Sequence, residues 1–217
     1  MQLNKLYEIQ AGLKAHIDYK GEDKFSRMML AMIVEFGECA NEWQQFKYWK
    51  KNNEPRTKVE VECSCCLGTT DENYEMVQED AEGNGGHEYI QCSECHGTGI
   101  EGYKNSLLEE YVDGLHFILE AGIDLVELGL MNVLPSSIHP IFRPVEPDIT
   151  KQFKQVVWNA MQLDVDAINK TNSAAAYQRL FGEYVALGYM LGFSEDQIEN
   201  AYMEKNKENH ERQQRNY

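Results

Sequence analysis

The sequence predicts an all-α helical bundle carrying one small inserted module. Apolar residues recur at helical spacing in six segments, that periodicity is lost between about Arg56 and Lys104, and two Cys-x-x-Cys pairs fall inside the aperiodic stretch.

From Leu3 to His16 the positions Leu3, Leu6, Tyr7, Ile9, Leu13 and Ile17 mark a first amphipathic helix, stopping near Lys20-Gly21. A longer second helix is predicted from about Asp23 to Lys50, with Met28, Met29, Met32, Ile33, Phe36, Trp43 and Phe46 as its apolar faces. Lys47, Lys50 and Lys51, followed by Asn52, Asn53 and Pro55, form the cationic, breaker-rich signature of a helix end. Residues 56–104 read as the insert, where Gly83, Gly85, Gly86, Gly97, Gly99 and Gly102 cluster. Helical pattern resumes at Ser106 and runs through Leu107, Leu108, Tyr111, Val112, Leu115, Ile118 and Leu119 to about Leu128-Gly129. A loop with Pro135, Pro140, Pro144 and Pro147 follows. A fourth helix is expected from Ile149 to about Ile168 and a fifth from about Ala174 to Leu191, ended by Gly192. Ser194-Glu195-Asp196-Gln197 has the S-x-x-Q form of a capping box and opens the last helix. The helical domain is therefore 1–55 with 105–217, and the inserted module is 56–104.

The chain of 217 residues carries a formal charge of −16, with a pI near 4.8. Its average surface repels a phosphate backbone, so polymeric nucleic acid is not an expected partner. A nucleotide differs, because divalent cations bridge carboxylates to phosphates. Charged residues such as Lys5, Glu8, Lys14 and Asp18 interrupt any signal-peptide core, and no apolar run reaches the length of a membrane span, so the expected location is cytoplasmic.

Glu35 and Glu38 stand at i and i+3 of the second helix, with Glu42 continuing the same face among Met32, Ile33, Phe36 and Ala40. Glu110 and Asp113 repeat that spacing after the insert. Like charges one turn apart repel, and apolar neighbours increase the cost, so a cation is expected between them. Carboxylate oxygens from two helices suit Mg²⁺, which leaves coordination places for water and phosphate. A solvated acidic face is the competing explanation for each pair taken alone.

Cys63-x-x-Cys66 and Cys92-x-x-Cys95 are separated by 25 residues, and the turns Leu67-Gly68 and His96-Gly97-Thr98-Gly99 follow them. Four thiolates on two such knuckles suit a closed, structural Zn²⁺ site. Redox-active Cys-x-x-Cys pairs are the alternative. Val59-Glu60-Val61-Glu62 and Glu88-Tyr89-Ile90-Gln91 read as strands leading into the knuckles, which resemble the zinc modules of DnaJ-type co-chaperones, with Thr70 where a second glycine would stand. Cys39 reads as a small core residue.

The two acidic pairs, Glu35-Phe36-Gly37-Glu38 and Glu110-Tyr111-Val112-Asp113, resemble the E-x-x-E and E-x-x-D motifs of the all-α dimeric dUTP diphosphatases, relatives of the MazG-type nucleotide pyrophosphohydrolases. Further similar stretches are the aromatic and basic run from Trp43 to Lys50, the LLEEYVDGLHFIL segment from Leu107 to Leu119, and a K-x-x-x-N-x-x-R-Q segment from Lys205 to Gln213. The resemblance implies a MazG/dimeric dUTPase-type bundle that hydrolyses dUTP to dUMP and pyrophosphate, limiting uracil incorporation into DNA. It implies two or more Mg²⁺ on Glu35, Glu38, Glu110 and Asp113, with Glu35 or Glu38 activating water. By the same resemblance Gln10 helps recognise uracil, Lys205, Asn209 and Arg212 contact phosphates, Lys47 is a further phosphate candidate, and Trp49 could wall the base or sugar. His116 reads as a packed histidine or a supporting partner of the metal site, and Asn216 stands before Tyr217 where the family has glycine. A homodimer is implied. A dCTP-directed or broader triphosphate pyrophosphohydrolase is the alternative activity, and a zinc-stapled helical adaptor the non-enzymatic one.

Overall fold

The computed structural model describes residues 1–17, 19, 21–75, 88–142 and 148–215; Asp18, Lys20, Gly83, Gly85, Gly86, Pro144, Pro147, Asn216 and Tyr217, named above, lie outside these. The chain folds into two compact units, Met1–Pro55 with Leu107–Tyr217, and Arg56–Ser106. Among the described residues six helices and a two-stranded sheet occur in the order α1 (Leu3–Ile17), α2 (Lys24–Trp43), β1 (Val59–Glu62), β2 (Ile100–Lys104), α3 (Ser106–Glu127), α4 (Ile149–Asn169), α5 (Ser173–Met190) and α6 (Glu195–Gln214). The all-α class is as predicted.

Helix ends follow local chemistry at most positions. Ser194 and Gln197 form the reciprocal capping box, with Gln197 N–H donating to Ser194 Oγ and Ser194 N–H to Gln197 Oε1. Gly129, at φ +69°, closes α3 as Leu130 N–H returns to the carbonyl of Leu125. The second helix departs from expectation. It ends at Trp43, seven residues before Lys50, because Gln44 turns left-handed (φ 61°) and donates its N–H to Ala40 O. Residues 45–50 then run as turns closed by Lys47 N–H to Gln44 O and Lys50 N–H to Lys47 O. No glycine or proline stands there to announce the stop; buried Trp43, packed on the Phe153 ring at 5.5 Å, anchors the last turn from outside the local sequence.

The bundle core is rich in tyrosine. Tyr111 of α3 and Tyr184 of α5 stack at 4.6 Å and 7°, and each hydroxyl donates to the other's backbone carbonyl. Small residues make room for this pair: a Cβ at Gly114 would stand 2.3 Å from Tyr184 Oη, and one at Gly188 2.5 Å from Tyr111 Oη. This lock holds α3, which carries Glu110 and Asp113, in a fixed register on α5.

In the smaller unit, β1 and β2 pair antiparallel, Val59 opposite Lys104, with a bulge at Val61/Glu62. The predicted second strand, 88–91, is instead exposed coil with one bridge, Asp71 to Gln91. All four of its side chains face solvent, so nothing buried rewards the alternation. The strand lies after the second cysteine pair, at Ile100–Lys104.

Candidate metal centres and substrate cavity

The two knuckles are near copies of one another. Leu67, Gly68 and Thr70 have positive φ, as do His96, Gly97 and Gly99 at the equivalent positions. Thr69 and Thr98 hydroxyls both donate to the carbonyl of the preceding cysteine. Cys63 N–H donates to Gly99 O and Cys92 N–H to Thr70 O, tying the knuckles together reciprocally. The sulfurs of Cys63, Cys66, Cys92 and Cys95 lie within 4.8 Å of one another, at 3.8 Å for Cys63–Cys92 and 3.7 Å for Cys66–Cys95. A tetrahedron with Zn–S bonds of about 2.3 Å has edges of about 3.8 Å, so the cluster is compatible with zinc. Burial works against a thiolate at Cys95, yet hydrogen bonds led by the Gly99 N–H outweigh it and draw the thiol down to about 6. Cys65 lies outside the set of four.

In the helical unit, oxygens of Glu35 on α2 and of Glu110 and Asp113 on α3 come within 4.8 Å of one another. Burial first, then repulsion from Asp113 and Glu38 among others, pushes both Glu35 and Glu110 up to about 7. Asp113 is also raised, chiefly by burial, although Lys205 Nζ at 2.8 Å opposes this. Glu38 is near enough to oppose ionisation of both glutamates but stands outside the three-oxygen cluster. Crowded carboxylates that resist ionisation together, all hard oxygen donors, fit a divalent cation such as Mg²⁺.

A proton-linked signature follows. A carboxyl group whose pKa folding has raised binds its proton more tightly in the folded state, so its contribution to stability is full below its ordinary pKa of 4.5 and falls as pH rises towards 7. Without added divalent cation, the free energy of unfolding is expected to fall across that window, by on the order of 1 kcal/mol per glutamate in so half-exposed a setting, and the melting temperature with it. Added Mg²⁺ should remove the loss, and Glu110→Gln should flatten it. A thermal-denaturation series in which Glu110→Gln keeps the full wild-type slope would contradict the electrostatic assignment.

A cavity of about 290 Å³ opens beside this cluster, and Glu35, Asp113, Gln10, Lys205, Asn209 and Arg212 all line it. The structure thus brings together six of the predicted site residues from α1, α2, α3 and α6. Lys47 and Trp49 are not among its lining residues. Lys47 Nζ donates to Asn41 O at 3.1 Å, and Trp49, 65% exposed, meets Phe46 and Tyr48 edge-on. Three residues that line or support the cavity had no role there on sequence grounds: His116, Glu120 and Tyr202. Asp113, His116 and Glu120 share one face of α3 at i, i+3 and i+7, so continuing the acidic face along the helix would have found two of them. Tyr202, on α6, had no local signal.

Around Gln10, 1% exposed, the polar groups interlock. Its Nε2 donates to Glu120 Oε2 (3.2 Å), while its Oε1 accepts from Tyr202 Oη and from His116 Nδ1, both at 2.8 Å. Glu120 is paired with Lys24 at 2.8 Å. The His116 ring stacks on Tyr202 at 4.1 Å, and burial, with Lys205 adding to it, pushes His116 down to about 3, leaving the imidazole neutral.

A family model described as dUTPase matches residues 2–67 and 98–217, passing over 68–97 inside the smaller unit. No curated protein matches the chain.

Proposed function

The chain belongs to the dimeric all-α dUTPase family and is a nucleotide diphosphatase, and from that premise we propose that it hydrolyses dUTP to dUMP and pyrophosphate with Mg²⁺ held by Glu35, Glu38, Glu110 and Asp113. The observation that carries the reading is the convergence of the carboxylate cluster with Lys205, Asn209 and Arg212 on one cavity. Mg²⁺, when bound, supplies positive charge that withdraws electron density from the phosphates. The chain's own residues do the rest. Glu35 lines the cavity, and its carboxylate takes the proton from the attacking water as the bond between the α and β phosphates breaks. Lys205, Asn209 and Arg212, at i, i+4 and i+7 of α6, present donors to the phosphate oxygens along one helix face. Lys205 exchanges its contact with Asp113 for phosphate as substrate and cation arrive. Gln10 orients the base. Glu38 supports the cation from the next turn of α2, while Lys47 and Trp49 act, if at all, from outside the cavity.

The test is a product panel over dUTP, dCTP, dTTP, dATP and dGTP with Mg²⁺. Preferential turnover of dUTP, giving pyrophosphate, is expected. Equal rates for dUTP and dTTP would sink the uracil-specific reading, and faster dCTP turnover would favour the dCTP alternative. Family membership removes the adaptor alternative.

Zinc in the Cys63, Cys66, Cys92 and Cys95 cluster is assigned a structural role, because all four positions are thiols and none is left for a reacting ligand. A homodimer is also assigned, and an exposed apolar face supports it. Trp158, Met161, Val165 and Ile168 repeat along the outer face of α4, with Trp158 61% and Ile168 68% exposed, and Leu30 and Val34 are exposed on neighbouring α2. Monomers rarely leave a stripe of large apolar side chains in water, which favours a partner on this face. Trp158→Glu is expected to yield monomers in light scattering at micromolar protein, and an undisturbed dimer would exclude this face. No helix among the described residues is long and apolar enough to cross a membrane; the proposed site of action is the cytoplasm.

A further inference from the structure

The smaller unit carries a fifth thiol beside its cluster of four. Of the six cysteines in the chain, Cys39, Cys63, Cys66, Cys92 and Cys95 are buried and Cys65 is not. The two knuckles repeat one another residue by residue: Ser64 N–H donates to Glu101 Oε2 at 2.8 Å as Ser93 N–H donates to Glu72 Oε2 at 3.1 Å, and Thr69 matches Thr98. In that register the place of Cys65 is taken in the second knuckle by Glu94, an exposed residue, so the turn itself has no need of a cysteine there. Cys65 packs against the buried four, and its thiol donates a hydrogen bond to Cys92 Sγ of the opposite knuckle. Cys92 Sγ also lies 3.8 Å from Cys63 Sγ, so it has a fellow member of the cluster on one side and a partly exposed thiol on the other.

We infer that Cys65 is a thiol-modification site, at which a small disulfide of the glutathione disulfide class is exchanged into a Cys65–Cys92 bond that unloads zinc from the insert. This rests on the structural-zinc reading above. In the first step Cys65 Sγ attacks one sulfur of the small disulfide: a bond from Cys65 to that sulfur forms, the reagent's S–S bond breaks, and the Cys65 proton ends on the departing thiol. In the second, Cys92 Sγ attacks Cys65 Sγ and expels the other half of the reagent, which takes a proton from water. The two cysteines together lose two electrons, and the reagent leaves as two reduced thiols. Cys92 is then no longer a thiolate, and a site closed by four thiols retains three. A bond from Cys65 to Cys66 does not compete, because neighbouring Cα atoms stand about 3.8 Å apart, short of the roughly 4.4–6.8 Å that disulfides span. The hydrogen bond to Cys92 pushes Cys65 up to about 11, so little of it is thiolate at neutral pH and the exchange is slow, running over minutes to hours.

The experiment treats the full-length, zinc-loaded protein with excess glutathione disulfide, follows zinc release with a chromogenic chelator and maps disulfides by peptide mass spectrometry, in wild type and in Cys65→Ser. In wild type a peptide joined through Cys65 and Cys92 is expected to accumulate in step with the zinc released, and dithiothreitol with Zn²⁺ should reverse both. In Cys65→Ser, which keeps all four thiols of the cluster, zinc content before oxidation should be unchanged and release slower by about tenfold or more, because the reagent must then reach a buried thiol. Release at the wild-type rate from Cys65→Ser overturns the inference, as does a wild-type protein that takes up the reagent at Cys65 and keeps both its zinc and a free Cys92. Should Cys65→Ser fold poorly, wild type decides alone: zinc released while Cys65 is still reduced excludes the mechanism. A preparation that holds no zinc before oxidation counts against the zinc reading itself, and the presence or absence of the Cys65–Cys92 peptide then decides the modification site.

Discussion

Glu35→Gln is expected to reduce kcat/KM for dUTP hydrolysis by about 10²- to 10⁴-fold, the range lost when a positioned general base is removed. The amide keeps the shape of the side chain but cannot take a proton from water, and it is a poorer ligand for a hard cation. The same substitution should stabilise the protein at pH 8 when no divalent cation is added, because it removes one member of a carboxylate cluster whose charges repel. Loss of activity with gain of stability distinguishes a functional glutamate from a structural one, for which both would fall together. Steady-state kinetics at saturating Mg²⁺ and a melting curve on the same preparation suffice. Activity within a few-fold of wild type would remove Glu35 from the mechanism. The substitution Asp113→Asn bears on a different step, since Asp113 holds Lys205 at 2.8 Å, and its loss should raise KM as well as lower kcat.

Removing zinc, or replacing Cys92 by serine, should unfold residues 56–106 while leaving the six-helix unit folded. Among its described residues the smaller unit has one two-stranded sheet and a buried cluster made of the cysteines themselves, with Cys65 packed against it. Apolar burial of that size does not offset the chain entropy of about fifty residues, so zinc, as proposed for this cluster, would supply most of the folding free energy, on the order of 10 kcal/mol for structural zinc sites. The helices bury a separate core that includes Phe36, Tyr111, Tyr177, Tyr184 and Tyr202. Hydrogen exchange resolves the two units: rapid exchange should appear at Cys63, Thr69 and Cys92 amides, with protection retained along α3 and α5. Metal analysis should show zinc lost in step. Global unfolding on zinc removal would show that the helical unit depends on the insert after all.

Much of this molecule is legible along the chain. The capping box at Ser194, the stop at Gly129 and the two knuckles are local devices: their hydrogen bonds close within a few residues, so their signals are complete in a short window. The acidic pairs are legible for a related reason. Spacing of three on a helix places two side chains on one face whatever the rest of the chain does, and the structure brings Glu35, Glu110 and Asp113 to a common point. The end of α2 was not legible, because a glutamine adopts the left-handed conformation there under the packing of Trp43 on Phe153, more than a hundred residues away. The same early stop takes Lys47 and Trp49 off the helix, and neither lines the cavity.

Composition and periodicity carry the all-α class, the insert, the closed cysteine set and the residue types for phosphate chemistry, since each depends on neighbours within a turn or two. The hydrogen-bond network of the cavity wall is a different kind of property. Gln10, His116, Glu120 and Tyr202 come from α1, α3 and α6, and each is an ordinary residue in its own helix. Whether His116 offers a proton or a lone pair depends on the direction of one amide, which depends in turn on a carboxylate and a lysine elsewhere in the bundle. Hydrogen-bond polarity propagates through contacts in space, and a linear pattern holds no record of it.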